Sequence, residues 1–289
     1  MSKLTRQSGC KVNLLLNILG KRADGFHELE TLIQPIGLFD TLEFEKAKEL
    51  KLSCSQPDLP IDARNLVHRA ATLFFEQTRI EAGVRIHLEK RIPLAAGLGG
   101  GSGNAATTLL GLNELFDKPV GMEDLEALAG RLGSDVPFFL QNDPALAIGR
   151  GEQIEPLAPF QSLQGKWFVL VYPGFGVPTA WAYEHLKQFP AAMNGTKGRA
   201  QQLAHKLQGR DLRAASPHFY NSLELPVLRK YPLLAMIREF LEAEGSIVAR
   251  MSGSGSTIFG IVEDESAAKT LQDKVKNKFG GCWTASVAA

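Results

Sequence analysis

Between residues 11 and 19, Val12, Leu14, Leu16 and Ile18 are apolar at alternate positions, and this period of two predicts a strand. Lys11, Asn13 and Asn17 share its opposite face. After an Asp24-Gly25 turn, further strands are expected over 29–38, 41–45 and 50–54. A helix should start at an Asp62 cap, with Leu66, Ala70, Leu73 and Phe74 on one face. Val84, Ile86 and Leu88 form one face of the next strand, which ends at Pro93. A glycine-rich stretch follows, then a helix over 105–116 and another over 122–132. Ser134-Asp135-Val136-Pro137 reads as the start of a helix with proline in its first turn. Beyond Pro156 and Pro159, strands are expected at 167–172, 247–251, 257–262 and 282–287, with helices at 179–186, 197–207, 233–243 and 266–279. Strands and helices mix without strict alternation, which predicts an α+β fold in two domains, 1–160 and 161–289.

Composition sharpens this picture in one place. The 289 residues include 28 glycines, where ordinary usage gives roughly 20. Nine of them fall in two groups: Gly97, Gly99, Gly100, Gly101 and Gly103, then Gly245, Gly253, Gly255 and Gly260. Thirty-two Lys and Arg against 31 acidic residues leave a net charge of +1, with no field that would draw nucleic acid or an anionic membrane. An anionic ligand must therefore be held locally. Cys10, Cys54 and Cys282 are odd in number and lack metal-type spacing, which suits a reducing compartment. The N-terminal apolar run is broken by Asn13 and Asn17, reads poorly as a signal peptide, and points to the cytoplasm.

Glycine amides leading into a helix N-terminus make an anion site, because unpaired N–H groups and the helix dipole point at the ligand. A triphosphate is the natural guest, against the plainer reading of a mobile turn. A Walker A motif is absent, since Gly20-Lys21 and Gly165-Lys166 are followed by Arg22 and Trp167. The dinucleotide fingerprint fails as well, with Ser102 or Asn104 where its third glycine would stand. Arg210-Asp211-Leu212 lacks the preceding His of a protein-kinase loop.

Pro93-Leu94-Ala95-Ala96-Gly97-Leu98-Gly99-Gly100-Gly101-Ser102 instead resembles the phosphate loop of the galactokinase, homoserine kinase, mevalonate kinase and phosphomevalonate kinase (GHMP) superfamily. Four more stretches carry the resemblance in order along the chain: Lys11-Val-Asn13, Arg22-Ala-Asp24-Gly25-Phe26-His27, Gly133-Ser-Asp135-Val-Pro137 and Met251-Ser-Gly-Ser-Gly-Ser-Thr257. They look like the branch that phosphorylates a hydroxyl of a substrate bearing a cytidine diphosphate group. The resemblance implies an N-terminal domain like the second domain of ribosomal protein S5 and a ferredoxin-like C-terminal domain, with ATP and substrate in the cleft.

By the same resemblance, the backbone from Pro93 to Asn104, through Gly103, holds the phosphates of ATP, with the Ser102 hydroxyl and Asn104 behind them. Asp135 is the base that accepts the hydroxyl proton, and Lys11 pairs with it and stabilises transferring charge. A helix N-cap is the plainer role for Asp135. Asn13 offers a donor and an acceptor to a polyol, Phe26 stacks on the base, His27 reads its edge and Tyr183 closes the stack. Phe26 replaces the family's usual Tyr, Gly103 a second loop serine, and Ala95 and Ala96 glycines of some relatives. Magnesium accompanies ATP, with no protein ligand assigned. The Gly253 and Gly255 stretch either approaches the site or simply turns between two strands. No nucleic acid or membrane partner is expected, and the chain should be a monomer or weak homodimer. Two alternatives remain: a kinase of another small alcohol, such as homoserine or mevalonate, or a catalytically silent nucleotide-binding module.

Overall fold

The structure, a computed structural model, describes residues 3–193 and 195–289. In chain order the elements are β1 (Lys3–Lys21), β2 (His27–Ala47), β3 (Lys51–Cys54), α1 (Leu66–Thr78), β4 (Gly83–Glu89), α2 (Gly100–Leu115) and α3 (Met122–Leu132). A 3-10 turn, Pro137–Leu140, precedes β5 (Ala145–Gly149), β6 (Gln153–Pro156) and β7 (Trp167–Tyr172). There follow α4 (Thr179–Leu186), α5 (Arg199–Leu207), α6 (Leu212–Ala215), β8 (Tyr220–Asn221), α7 (Glu224–Lys230) and α8 (Pro232–Ala243). The chain finishes through β9 (Val248–Met251), β10 (Ile258–Val262), α9 (Glu265–Lys278) and β11 (Trp283–Ala288).

These elements gather into two compact units with interleaved segments, and the long strands β1 and β2 run from one into the other. The first unit comprises residues 3–10, Leu38–Pro93 and Gly99–Asn142. In it, Thr41–Ala47 of β2 pairs antiparallel with β4, and β3 pairs parallel with β4. Leu42, Phe44, Ile86 and Leu88 from these strands meet Phe74 of α1, Leu109 and Leu112 of α2, and Leu125 and Leu128 of α3 in one buried core. The alternation that predicted β4 is the alternation that fills this core.

The second unit comprises Lys11–Gly37, Leu94–Leu98 and Asp143–Ala289. Leu29–Ile33 of β2 pairs with β5, which forms a hairpin with β6, and Leu15 and Leu16 of β1 pair with β8. A separate antiparallel sheet runs in the order β11-β7-β10-β9. α8 lies against β9 and β10, and α9 against β7 and β11, the arrangement expected of a ferredoxin-like layer. Val169, Val171, Ile258, Ile237, Leu241, Leu271 and Val275 make its core. Gly260 of β10 is required there, because a Cβ would overlap Ser246 and sit 3.5 Å from Leu241 of α8.

Several local expectations need correction. The first helix is capped by Asn65, whose Oδ1 accepts from the Val67 N–H at 2.9 Å, while Asp62 ties down Arg64 in the preceding turn. Secondly, β2 is one strand through Gly37 and Asp40 rather than two. Thirdly, α2 begins at Gly100, five residues before the expected start, so Gly100, Gly101 and Gly103 belong to the helix. Glycine is a poor helix former, but packing overrides propensity here. A Cβ on Gly100 would stand 2.8 Å from Ile92, and one on Gly103 would overlap the Gly9 carbonyl oxygen.

Candidate active site

In the second unit the residues singled out at opposite ends of the chain come together. Lys11 and Asn13 point to one side of β1, both buried. The Lys11 ammonium donates to Asn13 Oδ1 at 2.6 Å and to the Gly97 carbonyl at 3.3 Å, and the Lys11 N–H donates to the Leu98 carbonyl at 2.9 Å. Asn13 Nδ2 donates to Thr31 Oγ1 at 2.8 Å. An amide has two donors and two acceptor lone pairs, so these two bonds use one of each.

The second glycine group supports this corner. Ser252 Oγ donates to the Gly97 carbonyl at 2.9 Å and accepts from the Asn13 N–H at 3.3 Å. The Thr257 N–H donates to the Ala96 carbonyl at 3.1 Å. A Cβ on Gly253 would lie 3.3 Å from both Asn13 Oδ1 and the Gly97 oxygen, and one on Gly97 would overlap the Ser252 oxygen. Gly97 and Gly253 also hold φ at +79° and +57°, conformations that favour glycine. The stretch is thus a turn between β9 and β10 and, equally, the prop of the phosphate-type loop.

Behind that turn stand two residues that the sequence reading passed over. Asn221 Nδ2 donates to the Met251 and Gly253 carbonyls, each at 2.8 Å, and Glu224 accepts from the Met251 N–H at 2.7 Å. Burial pushes the Glu224 carboxyl up, against the pull of that N–H and of Arg250 and Arg238.

The loop entrance is tightly held. Leu94 is exposed and its carbonyl accepts from Tyr172 Oη at 3.0 Å, Ala95 takes φ +52°, and Ala96 and Leu98 are buried. On the first unit's side, Pro93 is half-buried, Gly99 is the cap of α2 at φ +70°, and Ser102 is the helix's third residue. Asn104 is buried with its amide turned inward, donating to Ser8 Oγ and Asp40 Oδ2 at 2.9 Å each. Asp40 and Lys90 form a buried ion pair beneath the helix start, and Asp40 also accepts from the Arg91 and Ile92 N–H groups at 2.7 and 2.9 Å. Neither stood out in the sequence, because a lysine in Glu89-Lys90-Arg91 looks like a solvated strand end. Asp135 is half-buried in the turn between α3 and Pro137.

Asn17, on the Lys11 face of β1, serves the scaffold. It donates to Glu30 at 3.0 Å, and Glu30 in turn accepts the Gly198, Arg199 and Ala200 N–H groups that open α5. Farther along the second unit, the rings of His27 and Tyr183 lie 5.1 Å apart at a 43° tilt. Phe26 is 53% exposed with the Arg150 guanidinium 4.8 Å over its ring. Burial first, and the Lys21 cation second, hold the His27 imidazole below its usual range.

Comparison with known proteins agrees with these features. The family model of the GHMP kinases N terminal domain matches residues 65–142, and that of the GHMP kinases C terminal matches residues 196–281. A 4-diphosphocytidyl-2-C-methyl-D-erythritol kinase of Synechococcus sp. (strain JA-3-3Ab) is 40% identical over 285 residues, covering 96% of this chain and 91% of that protein. A crystal structure of 4-(cytidine 5'-diphospho)-2C-methyl-D-erythritol kinase superimposes with a TM-score of 0.81 at 37% identity, over 99% of this chain and 100% of that one. Homoserine kinase from Cytophaga hutchinsonii shares the fold at a TM-score of 0.76 and 18% identity, over 100% of this chain and 95% of that one. With two GHMP models matched and full-length likeness to one branch, the chain belongs to the 4-diphosphocytidyl-2-C-methyl-D-erythritol kinase family of GHMP kinases.

Proposed function

We propose that the chain transfers the γ-phosphoryl group of ATP to the 2-hydroxyl of 4-diphosphocytidyl-2-C-methyl-D-erythritol, giving the 2-phosphate and ADP in the non-mevalonate route to isopentenyl diphosphate. The observation that carries this reading is the fixing of the Lys11 ammonium against the Gly97 carbonyl, at the mouth of a glycine loop that runs into α2. Loop amides and the helix N-terminus hold the phosphates, and Lys11 stabilises the charge on the transferring group. Asn13 orients the polyol, and Asp135 accepts the proton of the attacking hydroxyl. The proposed domain division at residue 160 falls between the two family matches.

Magnesium would arrive on the phosphates and spread their charge. The described residues contain no group of three or more His, Cys, Asp or Glu placed to hold a metal ion, and Lys11 and the loop amides are proposed to meet the phosphate charge from the protein side. No helix among the described residues is long and apolar enough to cross a membrane, and we place the reaction in the cytoplasm.

The test is ADP release with four acceptors: the cytidylyl substrate, uncytidylylated methylerythritol phosphate, homoserine and mevalonate. Stimulation by the first alone is the expected result; turnover with homoserine or mevalonate in its place, or none at all, would sink the reading.

The pH profile tests the base-binding end. A neutral imidazole can both donate to and accept from a cytosine edge, and the shift at His27 is downward, so the neutral form is the majority at pH 6.5 and above. The imidazolium becomes the major form only at lower pH. KM for the cytidylyl substrate should therefore change little above neutral pH and rise under acidic conditions, and His27→Gln should abolish the rise.

A further inference from the structure

Arg150 lies at the tip of the β5–β6 hairpin, between Gly149 at φ +75° and Gly151 at φ +101°. Both glycines adopt the left-handed backbone that closes so tight a turn. Register fixes where that tip lands. Gly149 pairs with Leu29, so the next residue of the hairpin reaches back to the segment just before Leu29, where Phe26 sits. The guanidinium carbon is 4.8 Å from the centre of the Phe26 ring.

The arrangement is built from both sides. Glu152 accepts from the Arg150 N–H at 2.7 Å and lies 3.6 Å from its Nε, which limits the swing of the side chain. Asp24 accepts from the Phe26 N–H at 3.1 Å and is itself held by Arg22 Nε at 3.1 Å. A large aromatic ring left 53% exposed, with its backbone anchored and one face taken by a planar cation, is a platform with one face free. Guanidinium planes stack well on aromatic faces, and a cation drawing π density to its side leaves the other face less negative.

We propose that Arg150 is a positioning residue for the base-carrying end of the substrate. It fixes the Phe26 ring and forms the outer layer of a guanidinium–phenyl–pyrimidine stack. This rests on the reading of Phe26 as the stacking partner of the cytosine. It adds a residue outside every motif that identified the site, and it makes the hairpin tip part of substrate recognition.

The experiment is a double-mutant cycle on the full chain, reading KM and kcat for the cytidylyl substrate in the parent, Arg150→Met, Phe26→Ala and the double variant. Arg150 is partly exposed, with its side chain 38% accessible, so methionine keeps the apolar stem without disturbing a core. Arg150→Met should raise KM about three- to fivefold, with the change in KM rather than kcat, and should add nothing in the Phe26→Ala background. Phe26→Ala alone should raise KM about tenfold or more. If Phe26→Ala raises KM but Arg150→Met does not, or if the two effects multiply, Arg150 has no part in the stack and the proposal fails while the base-site reading stands. An unchanged KM in Phe26→Ala would overturn both.

Discussion

Asp135→Asn should lower kcat by about a thousandfold, within the usual worth of a positioned general base, and leave the KM for ATP essentially unchanged. The substitution is isosteric, and the surrounding turn is fixed by other means. Val136 and Phe138 on either side of Pro137 are buried, and the Val136 N–H donates to the Gly133 carbonyl at 3.1 Å. The same variant separates chemistry from the plainer role of a helix cap. Asparagine caps helices as well as aspartate does, so a capping residue would tolerate the exchange. Steady-state kinetics with the cytidylyl substrate, beside a direct measurement of ATP-analogue binding, decides between them. Near-normal turnover would remove Asp135 from the mechanism.

Gly97→Ala should damage both fold and activity. Alanine at φ +79° costs about 1–2 kcal/mol against the left-handed conformation. Its Cβ would also meet the Ser252 carbonyl oxygen, with no flexible side chain to give way. Moving that turn weakens the bonds from Ser252 Oγ to Gly97 and from Thr257 to Ala96, each worth about 1 kcal/mol. Together these amount to about 3 kcal/mol of lost stability, readable as a lower midpoint in urea. Because the Lys11 ammonium rests on the Gly97 carbonyl, a shift of about 1 Å there should cost about a hundredfold in kcat. A variant with the parent's midpoint and kcat would show that the turn absorbs the methyl group, and would refute the close packing of the two glycine groups.

Much of this was legible in residue order. The boundaries of α3, α4 and β7 follow from pattern and punctuation, α3 by its apolar face, β7 by an unbroken apolar run, and each by the turn residues beside it. What escaped did so for physical reasons. The first eight residues of β1 read Lys3-Leu-Thr-Arg-Gln-Ser-Gly-Cys10, with too few apolar positions to show a period, so the strand seemed to begin at Lys11. The start of α2 was hidden because glycine there answers to neighbours far away in sequence, Ile92 and Gly9, rather than to helix propensity. Asp40 and Lys90, fifty positions apart, each look like ordinary surface charges until folding buries them together. The short β5, β6 and α7 lie among Gly, Pro and mixed residues that local rules assign to loops. Lys11, Asn13 and the loop were singled out by motif and lie hydrogen-bonded together, whereas Asn221 and Glu224 are visible only through the backbone groups they hold.

The interleaving of the two units has a consequence for synthesis on the ribosome. Every segment of the first unit lies before residue 143, whereas the second begins at Lys11 and draws on the chain as far as Ala289. The first unit can therefore close around its own core while the rest of the chain is still emerging, at a usual elongation rate of about 5–20 residues per second. Leu16, Ile18 and Leu29 wait through that interval without the partners they have in the finished molecule, Val227, Leu234 and Ile258 among them. The parts of β1 and β2 that carry Lys11, Asn13 and Leu29 are thus made first and completed by partners made last.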